Sequence, residues 1–162
     1  MKFHKNIENS IVTKLQYIST WKLLVFTFFT LGVYLTHYIK RQTNIINKQS
    51  EENDQISESF IMLIVVVTYL YMGLLFAYIA LPSYLTINIY SFATWEIVHY
   101  AFIISYLIWG FRVRERMNQI LSAQRKEKEW FHGFWSIFFV PLYFNLKINK
   151  LKEFNDLKSE TT

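Results

Sequence analysis

The chain has 162 residues, of which 52% are hydrophobic and 19% aromatic, and it carries a formal net charge of +5. Its charged residues lie in blocks between apolar runs, a distribution typical of membrane proteins. We therefore interpret the positive charge as attraction to lipid headgroups and exclude nucleic-acid binding. The absence of cysteine excludes disulfides, thiolate nucleophiles and cysteine-based metal sites. These features predict one all-α integral membrane domain over 1–162, in contact with the lipid bilayer.

The first segment, 1–20, is predicted to be an amphipathic helix, because apolar residues recur at helical spacing between positions 7 and 18. Such a helix either lies on the membrane surface or packs against the rest of the protein, and the sequence leaves both open.

The second segment, 21–52, is predicted to be a broken helix with a cytoplasmic extension. Its apolar run, 23–39, is barely long enough to cross a bilayer. Gly32 interrupts this run and is the predicted helix break, because glycine is too free in its backbone to favour a helix.

The central segments are the clearest membrane spans. Residues 60–81 form an apolar run that covers a hydrocarbon core of roughly 30 Å. After an uncharged turn, residues 89–111 form a second span, and its helical pattern continues as a cytoplasmic extension to about residue 129.

Three small residues, Gly73, Ala77 and Ala80, recur along one face of the first span. Small residues at this spacing allow two membrane helices to approach closely. We expect this face to mediate a helix contact, either within the chain or between copies of it.

The last segment, 130–157, is predicted to be a second broken helix with a polar tail. Its apolar run, 134–146, is too short for a straight crossing and contains Pro141, the second predicted break. Aromatic residues often anchor proteins at the membrane interface, and the tryptophans expected in this role are Trp21, Trp109, Trp130 and Trp135.

Positive charge favours a topology with two spans. If all four apolar runs cross, eight of the seventeen lysines and arginines lie outside with the termini and nine lie inside, so the bias nearly vanishes. If only the two central runs cross, all seventeen lie in the cytoplasm, together with both termini. We favour this second arrangement, a central two-span hairpin flanked by two broken, re-entrant helices, over four full spans.

Both ends of the chain resemble a known family. The segment TLGVY at 30–34 resembles the opening turn of a bacterial membrane-protein family, domain-of-unknown-function family 4234, in which a late asparagine follows (here Asn44 or Asn47). The segment PLYFNLKINKL at 141–151 is similar to that family's closing helix. The resemblance implies a multi-pass protein of the bacterial inner (cytoplasmic) membrane, and it implies no activity.

Two ionisable residues inside the second span are candidates for a ligand site or a proton pathway. Glu96 and His99 are three residues apart and so share a helix face. An ionisable residue within a span is a functional candidate by default. The alternative is a structural pair that faces the protein interior and forms hydrogen bonds there. His37, near the basic end of the first apolar run, is a weaker candidate of the same kind.

The sequence contains no glycine-rich phosphate loop, nucleophile triad or pair of catalytic carboxylates. We therefore expect no catalytic residues, no metal and no cofactor. The favoured function is a binding or scaffolding module that works as a homo-oligomer or beside another membrane protein. The first alternative is a small channel or an ion- or proton-conducting oligomer, and the second is a lipid-modifying membrane enzyme.

Overall fold

The computed structural model describes residues 11–15, 18–80, 92–123, 129–132 and 140–160, without the side chains of 92–93, 140 and 155–160. All regular secondary structure in these ranges is helical, which confirms the all-α class. A short 3₁₀ turn, Glu52–Asp54, lies between the second and third helices. The helices are α1 (Thr20–Phe29), α2 (Val33–Asn47), α3 (Glu58–Ala80), α4 (Phe92–Ile120) and α5 (Val140–Glu160).

Helices α3 and α4 are long and apolar enough to cross a membrane. They have 23 and 29 residues and therefore measure about 35 and 44 Å. In the most apolar window of each helix, only 17% of α3 and 33% of α4 is buried within the protein. Most of their apolar surface therefore faces outward, unlike the surface of a core helix in a soluble protein.

The fully buried residues of α3 lie near its start. They are Ile61, Ile64 and Thr68, at spacings of three and four. None of the residues after Thr68 in α3 is fully buried. The second half of this helix therefore lies outside the core, which is formed by α1, α2, the start of α3, α5 and the C-terminal half of α4.

The chain reverses direction between α1 and α2. The side-chain amide nitrogen of Asn145 lies 3.0 Å from the hydroxyl of Thr20, and its carbonyl oxygen accepts a hydrogen bond from Tyr38 at 3.1 Å. On a straight helix Thr20 and Tyr38 would lie about 27 Å apart. Because both reach one asparagine, α1 and α2 form an antiparallel hairpin, and residues 23–39 do not make a single straight crossing.

The reversal occurs at the predicted break, Gly32. The Gly32 N–H donates to the Thr27 carbonyl at 2.8 Å and the Leu31 N–H to the Phe28 carbonyl at 3.2 Å, the pattern of a Schellman motif. Leu31 and Gly32 adopt φ values of 49° and 95°. Glycine tolerates the second value without strain, and Leu31 does not have this freedom.

The side chain of Thr30 makes two further hydrogen bonds at the turn between α1 and α2. The hydroxyl of Thr30 donates to the Phe26 carbonyl at 2.7 Å and accepts from the Tyr34 N–H at 3.0 Å. It therefore adds a second hydrogen bond to the Phe26 carbonyl, which also accepts from the Thr30 N–H at 3.0 Å, and it satisfies one free N–H at the start of α2.

Pro141 lies in α5, next to Val140, the first residue of this helix that the structure describes. From Val140 the helix continues through the predicted tail to Glu160. The segment predicted as a broken helix and a polar tail is thus one helix from Val140 onward, while residues 134–139 of the apolar run lie outside the described residues.

The N-terminal segment packs against the protein. Of its residues, 11–15 and 18–20 are described, and 11–14 are helical. Ile11, Val12 and Leu15 are at most 2% exposed and belong to the main core. Lys152 of α5 donates to the Leu15 carbonyl at 2.6 Å. Of the two options left open by the sequence, packing against the protein applies to these residues.

Two asparagines hold the connecting segments. Asn47, at the end of α2, accepts from the Ile56 N–H at 2.9 Å and donates to the Ile56 carbonyl at 2.8 Å. Asn118, near the end of α4, makes the same pair of contacts with Phe131, at 2.8 and 3.3 Å. Each amide satisfies both backbone groups of one residue and so fixes the chain that enters the next segment.

Candidate functional site

Aromatic side chains cluster around His99, between the second half of α3 and the N-terminal half of α4. The ring centroid of His99 lies 6.2 Å from Trp95, in a stacked arrangement, and 5.8 Å from Tyr71. Tyr71 also stacks on Trp95 at 5.2 Å. Glu96 and His99 are both half-buried. Ring stacking therefore positions the histidine at this site.

The structural pairing expected for His99 is not made through Nδ1. This atom is buried and has no hydrogen-bond partner. The described side chains include no hydrogen bond between Glu96 and His99. A buried polar atom without a partner is costly, so the Nδ1 atom of His99 is a position at which a ligand or a proton donor would be stabilised.

Deeper in the bundle, three hydroxyls from three helices meet. The hydroxyl oxygen of Thr36 in α2 lies 2.6 Å from that of Tyr106 in α4 and 3.0 Å from that of Thr68 in α3. Thr68 donates to the Ile64 carbonyl at 2.8 Å, so Thr36 donates to Thr68 and Tyr106 donates to Thr36. All three residues are at most 7% exposed, and we call this group the hydroxyl triad.

A phenylalanine separates the hydroxyl triad from the histidine. The ring of Phe102 stacks on Tyr71 at 5.0 Å and packs against Tyr106 at 4.6 Å. A Cβ atom placed on Gly32 would lie 3.6 Å from the Phe102 ring. The turn between α1 and α2 therefore lies next to Phe102 of α4. The polar groups within this part of the bundle are therefore separated by an apolar layer.

Trp109 does not lie at the surface, and its prediction as an interface anchor is wrong. It is 0% exposed, and its indole N–H donates to the hydroxyl of Thr43 at 2.8 Å. Thr43 in turn donates to the Ile39 carbonyl at 2.9 Å. The reason for the burial is that α2 and α5 cover this side of α4, where the Trp109 ring packs against Phe144 at 5.8 Å.

The other predicted anchors differ in their surroundings. Trp21 is 73% exposed at the start of α1, as expected of an anchor, and Trp130 is half-buried. Trp135 lies outside the described residues. His37 is exposed, and its Nε2 lies 3.1 Å from the Tyr69 hydroxyl, so it links α2 to α3 on the outside of the bundle.

The small-residue face of α3 is open at Gly73 among the described residues. Gly73 and Ala80 are exposed and Ala77 is half-buried. A Cβ at Gly73 would meet no atom within 4 Å. Ile64, in the buried stripe, is nine residues before Gly73 and therefore lies on the opposite side of the helix. The predicted contact is not made within these residues, and a contact between copies stays a prediction.

Sequence reasoning did not find one further feature, a cavity of about 370 Å³ between α2 and the start of α3. Lys40, Asn44 and Asn47 from α2 line one wall. Their spacing of four and three residues places them on one helix face, and this polar face is the signal that could have indicated the site. Among the described residues, no cluster of three or more histidines and carboxylates could hold a metal ion.

Comparisons with protein-family models, with curated proteins and with solved structures found no match to this chain. The class of protein therefore follows from its own fold: a helical protein with two helices able to span a membrane.

Proposed function

We propose that the chain is a small protein of the bacterial inner membrane in which the α3–α4 hairpin crosses the bilayer. The exposure of the distal part of α3 supports this: Leu70, Phe76 and Ile79 are 50%, 73% and 72% exposed. In water, exposing these side chains would cost roughly 25 cal/mol of free energy for every Å² of apolar surface. Lipid removes this cost.

The α1–α2 hairpin is then a re-entrant element on the cytoplasmic side. Its reversal at Gly32 meets α4 at Phe102, near the middle of the predicted span 89–111. Backbone at that depth needs internal hydrogen bonds, and the Schellman motif together with the hydroxyl of Thr30 provides them.

The role that we propose is a non-catalytic binding or scaffolding module that works as a homo-oligomer or beside another membrane protein. The observation that carries it is the unoccupied face around Gly73, opposite the stripe that contacts the bundle. Close contacts between membrane helices use such faces, because small residues let the two backbones approach.

Cysteine cross-linking in membranes tests this role, because the chain has no native cysteine. Ala77→Cys should form a dimer on mild oxidation. Leu75→Cys is the matched control, because it is eleven residues after Ile64 and therefore on the inward side of α3. Gly73→Leu, combined with Ala77→Cys, should reduce the dimer by keeping the backbones apart. Equal cross-linking at positions 75 and 77 would contradict the proposal.

A conducting oligomer is the second candidate, and the unpartnered Nδ1 of His99 beside the half-buried Glu96 favours it. Within one chain the Phe102 ring packs between Tyr71 and Tyr106, so the proposed path runs between subunits. Proteoliposomes that contain a pH-sensitive dye distinguish the two functions. The scaffold predicts proton flux equal to that of empty liposomes. The channel predicts a flux that Glu96→Gln abolishes while the fold is retained.

A further inference from the structure

The cavity between α2 and α3 is lined by both polar and apolar side chains. Its exposed polar residues are Lys40 and Asn44 from α2, and Glu58 and Ser59 from α3. Met62 and Val65, one and two turns after Glu58 on α3, are among its apolar residues. The volume, about 370 Å³, is at the lower end of the usual range of ligand pockets, roughly 300–1,000 Å³.

Other polar groups in the wall are already used by the protein. The hydroxyl of Thr43 bonds to Trp109 and to the Ile39 carbonyl. The amide of Asn47 bonds to both backbone groups of Ile56. These contacts make the wall rigid, and they leave Lys40, Asn44, Glu58 and Ser59 as the groups that can meet a ligand.

The charges of the lining define the ligand. One ammonium group, on Lys40, and one carboxylate, on Glu58, line the same cavity. An anion would be attracted to Lys40 and repelled by Glu58, whereas a ligand with both a phosphate and an ammonium group satisfies both. Quaternary ammonium groups are usually bound in aromatic cages, and the described lining contains no aromatic ring. The lining therefore favours a primary ammonium group.

The geometry points to a phospholipid with an ethanolamine headgroup, and we propose that the cavity binds it. Lys40, Asn44 and Ser59 contact the phosphate, Glu58 contacts the ammonium group, and the acyl chains leave along Met62 and Val65. The cavity is too small for a whole lipid, so the chains lie on the outer face of α3. This site rests on the proposed membrane position of α3, and it deepens the proposed binding role.

Lipid retention tests the site. The full chain, purified in detergent, is mixed with equal amounts of phosphatidylethanolamine, phosphatidylcholine and phosphatidylglycerol that carry identical acyl chains, and bound lipid is measured by native mass spectrometry. The ethanolamine lipid should be retained most. For exposed charges, each removed ion pair should lower its occupancy about two- to fivefold.

Two variants give opposite signatures. Lys40→Gln should lower the retention of all three phospholipids. Glu58→Gln should lower the retention of the ethanolamine lipid alone and raise that of the glycerol lipid. Lys48→Gln and Glu51→Gln are matched controls, because both residues are exposed and neither lines the cavity. The proposal is wrong if the three lipids bind equally, or if Lys40→Gln behaves like Lys48→Gln.

Two further measurements separate the possible failures. Soluble glycerophosphoethanolamine at the same concentration should not displace the lipid, and displacement would instead assign the cavity to a water-soluble phosphate. Flotation with vesicles tests the membrane position by itself. A chain that floats but retains all lipids equally refutes only the lipid site, while a chain that does not float refutes the proposed function as well.

Discussion

The buried pair formed by Trp109 and Thr43 allows a sharp test of how the core is built. Thr43→Val keeps the shape of the side chain and removes its hydroxyl. The indole N–H of Trp109, which now donates to that hydroxyl at 2.8 Å, would then be buried without an acceptor. We expect the variant to fold and to be less stable.

The size of the effect follows from the surroundings. Leaving a buried donor unsatisfied costs about 1–3 kcal/mol. Hydrogen bonds between helices in membrane proteins average about 0.6 kcal/mol in double-mutant cycles, with a maximum near 1.7. Trp109 is fully buried and Thr43 is its acceptor, so we expect Thr43→Val to lower the free energy of unfolding by about 1–2 kcal/mol.

The assay is equilibrium unfolding in mixed micelles, followed by circular dichroism. Thr43→Ser keeps the acceptor and is the matched control, with only the loss of a methyl group. Trp109→Phe and the double variant Thr43→Val, Trp109→Phe complete a cycle. The double variant should be less destabilised than the sum of the singles, because it leaves no unpaired N–H group. Additive effects would mean that the hydrogen bond contributes nothing, and our account of the burial of Trp109 would be refuted.

Three further predictions concern the turn between α1 and α2, Lys147 and the membrane topology. Leu31→Gly should stabilise the protein by about 1 kcal/mol, because it removes the left-handed strain at φ 49°. Gly32→Ala should destabilise the protein. Thermal unfolding measures both variants, and equal effects would contradict the reasoning. Burial lowers the pKa of Lys147, a shift that the nearby Glu129 carboxylate opposes, so stability should rise with pH between that lowered value and the usual 10.5 as the costly charge is lost. The resonance of ¹³C-methylated Lys147, identified by its loss in Lys147→Arg, should therefore titrate below the usual lysine value. In intact cells, Ser50→Cys should react only with reagents that enter the cytoplasm and Ser83→Cys with impermeant ones, and the reverse pattern would exclude the proposed orientation.

Helix positions were predictable from the sequence because they depend on local patterns. The apolar run 60–81 corresponds to α3, which ends at Ala80. The break at Gly32 was also local, because a glycine that interrupts an apolar run predicts a break in the helix. The reversal of the chain at that break needed the contacts of Asn145 with both helices, and these come from a segment more than a hundred residues later.

The surroundings of individual side chains were harder to predict. Trp109 has the sequence context of an interface anchor, close to Arg112 at the end of an apolar run. Its burial depends on α2 and α5, whose position no local pattern reveals. The contact of His99 with Tyr71 was missed for the same reason, since Tyr71 comes from the neighbouring helix. Spacing identified the face of each residue, and packing decided what that face meets.

The hydroxyl triad restricts which residues of this sequence can be replaced over evolution. Within lipid, apolar side chains gain little by facing one another, because the surrounding acyl chains are equally apolar. In the membrane position that we propose, apolar packing alone would therefore let α2, α3 and α4 slide by a turn at small cost. A shift of one turn moves a hydroxyl by about 5.4 Å, which separates Thr36 from Thr68 and Tyr106. Most outward-facing apolar positions can therefore exchange among themselves over evolution, while three small polar groups keep the helices in register.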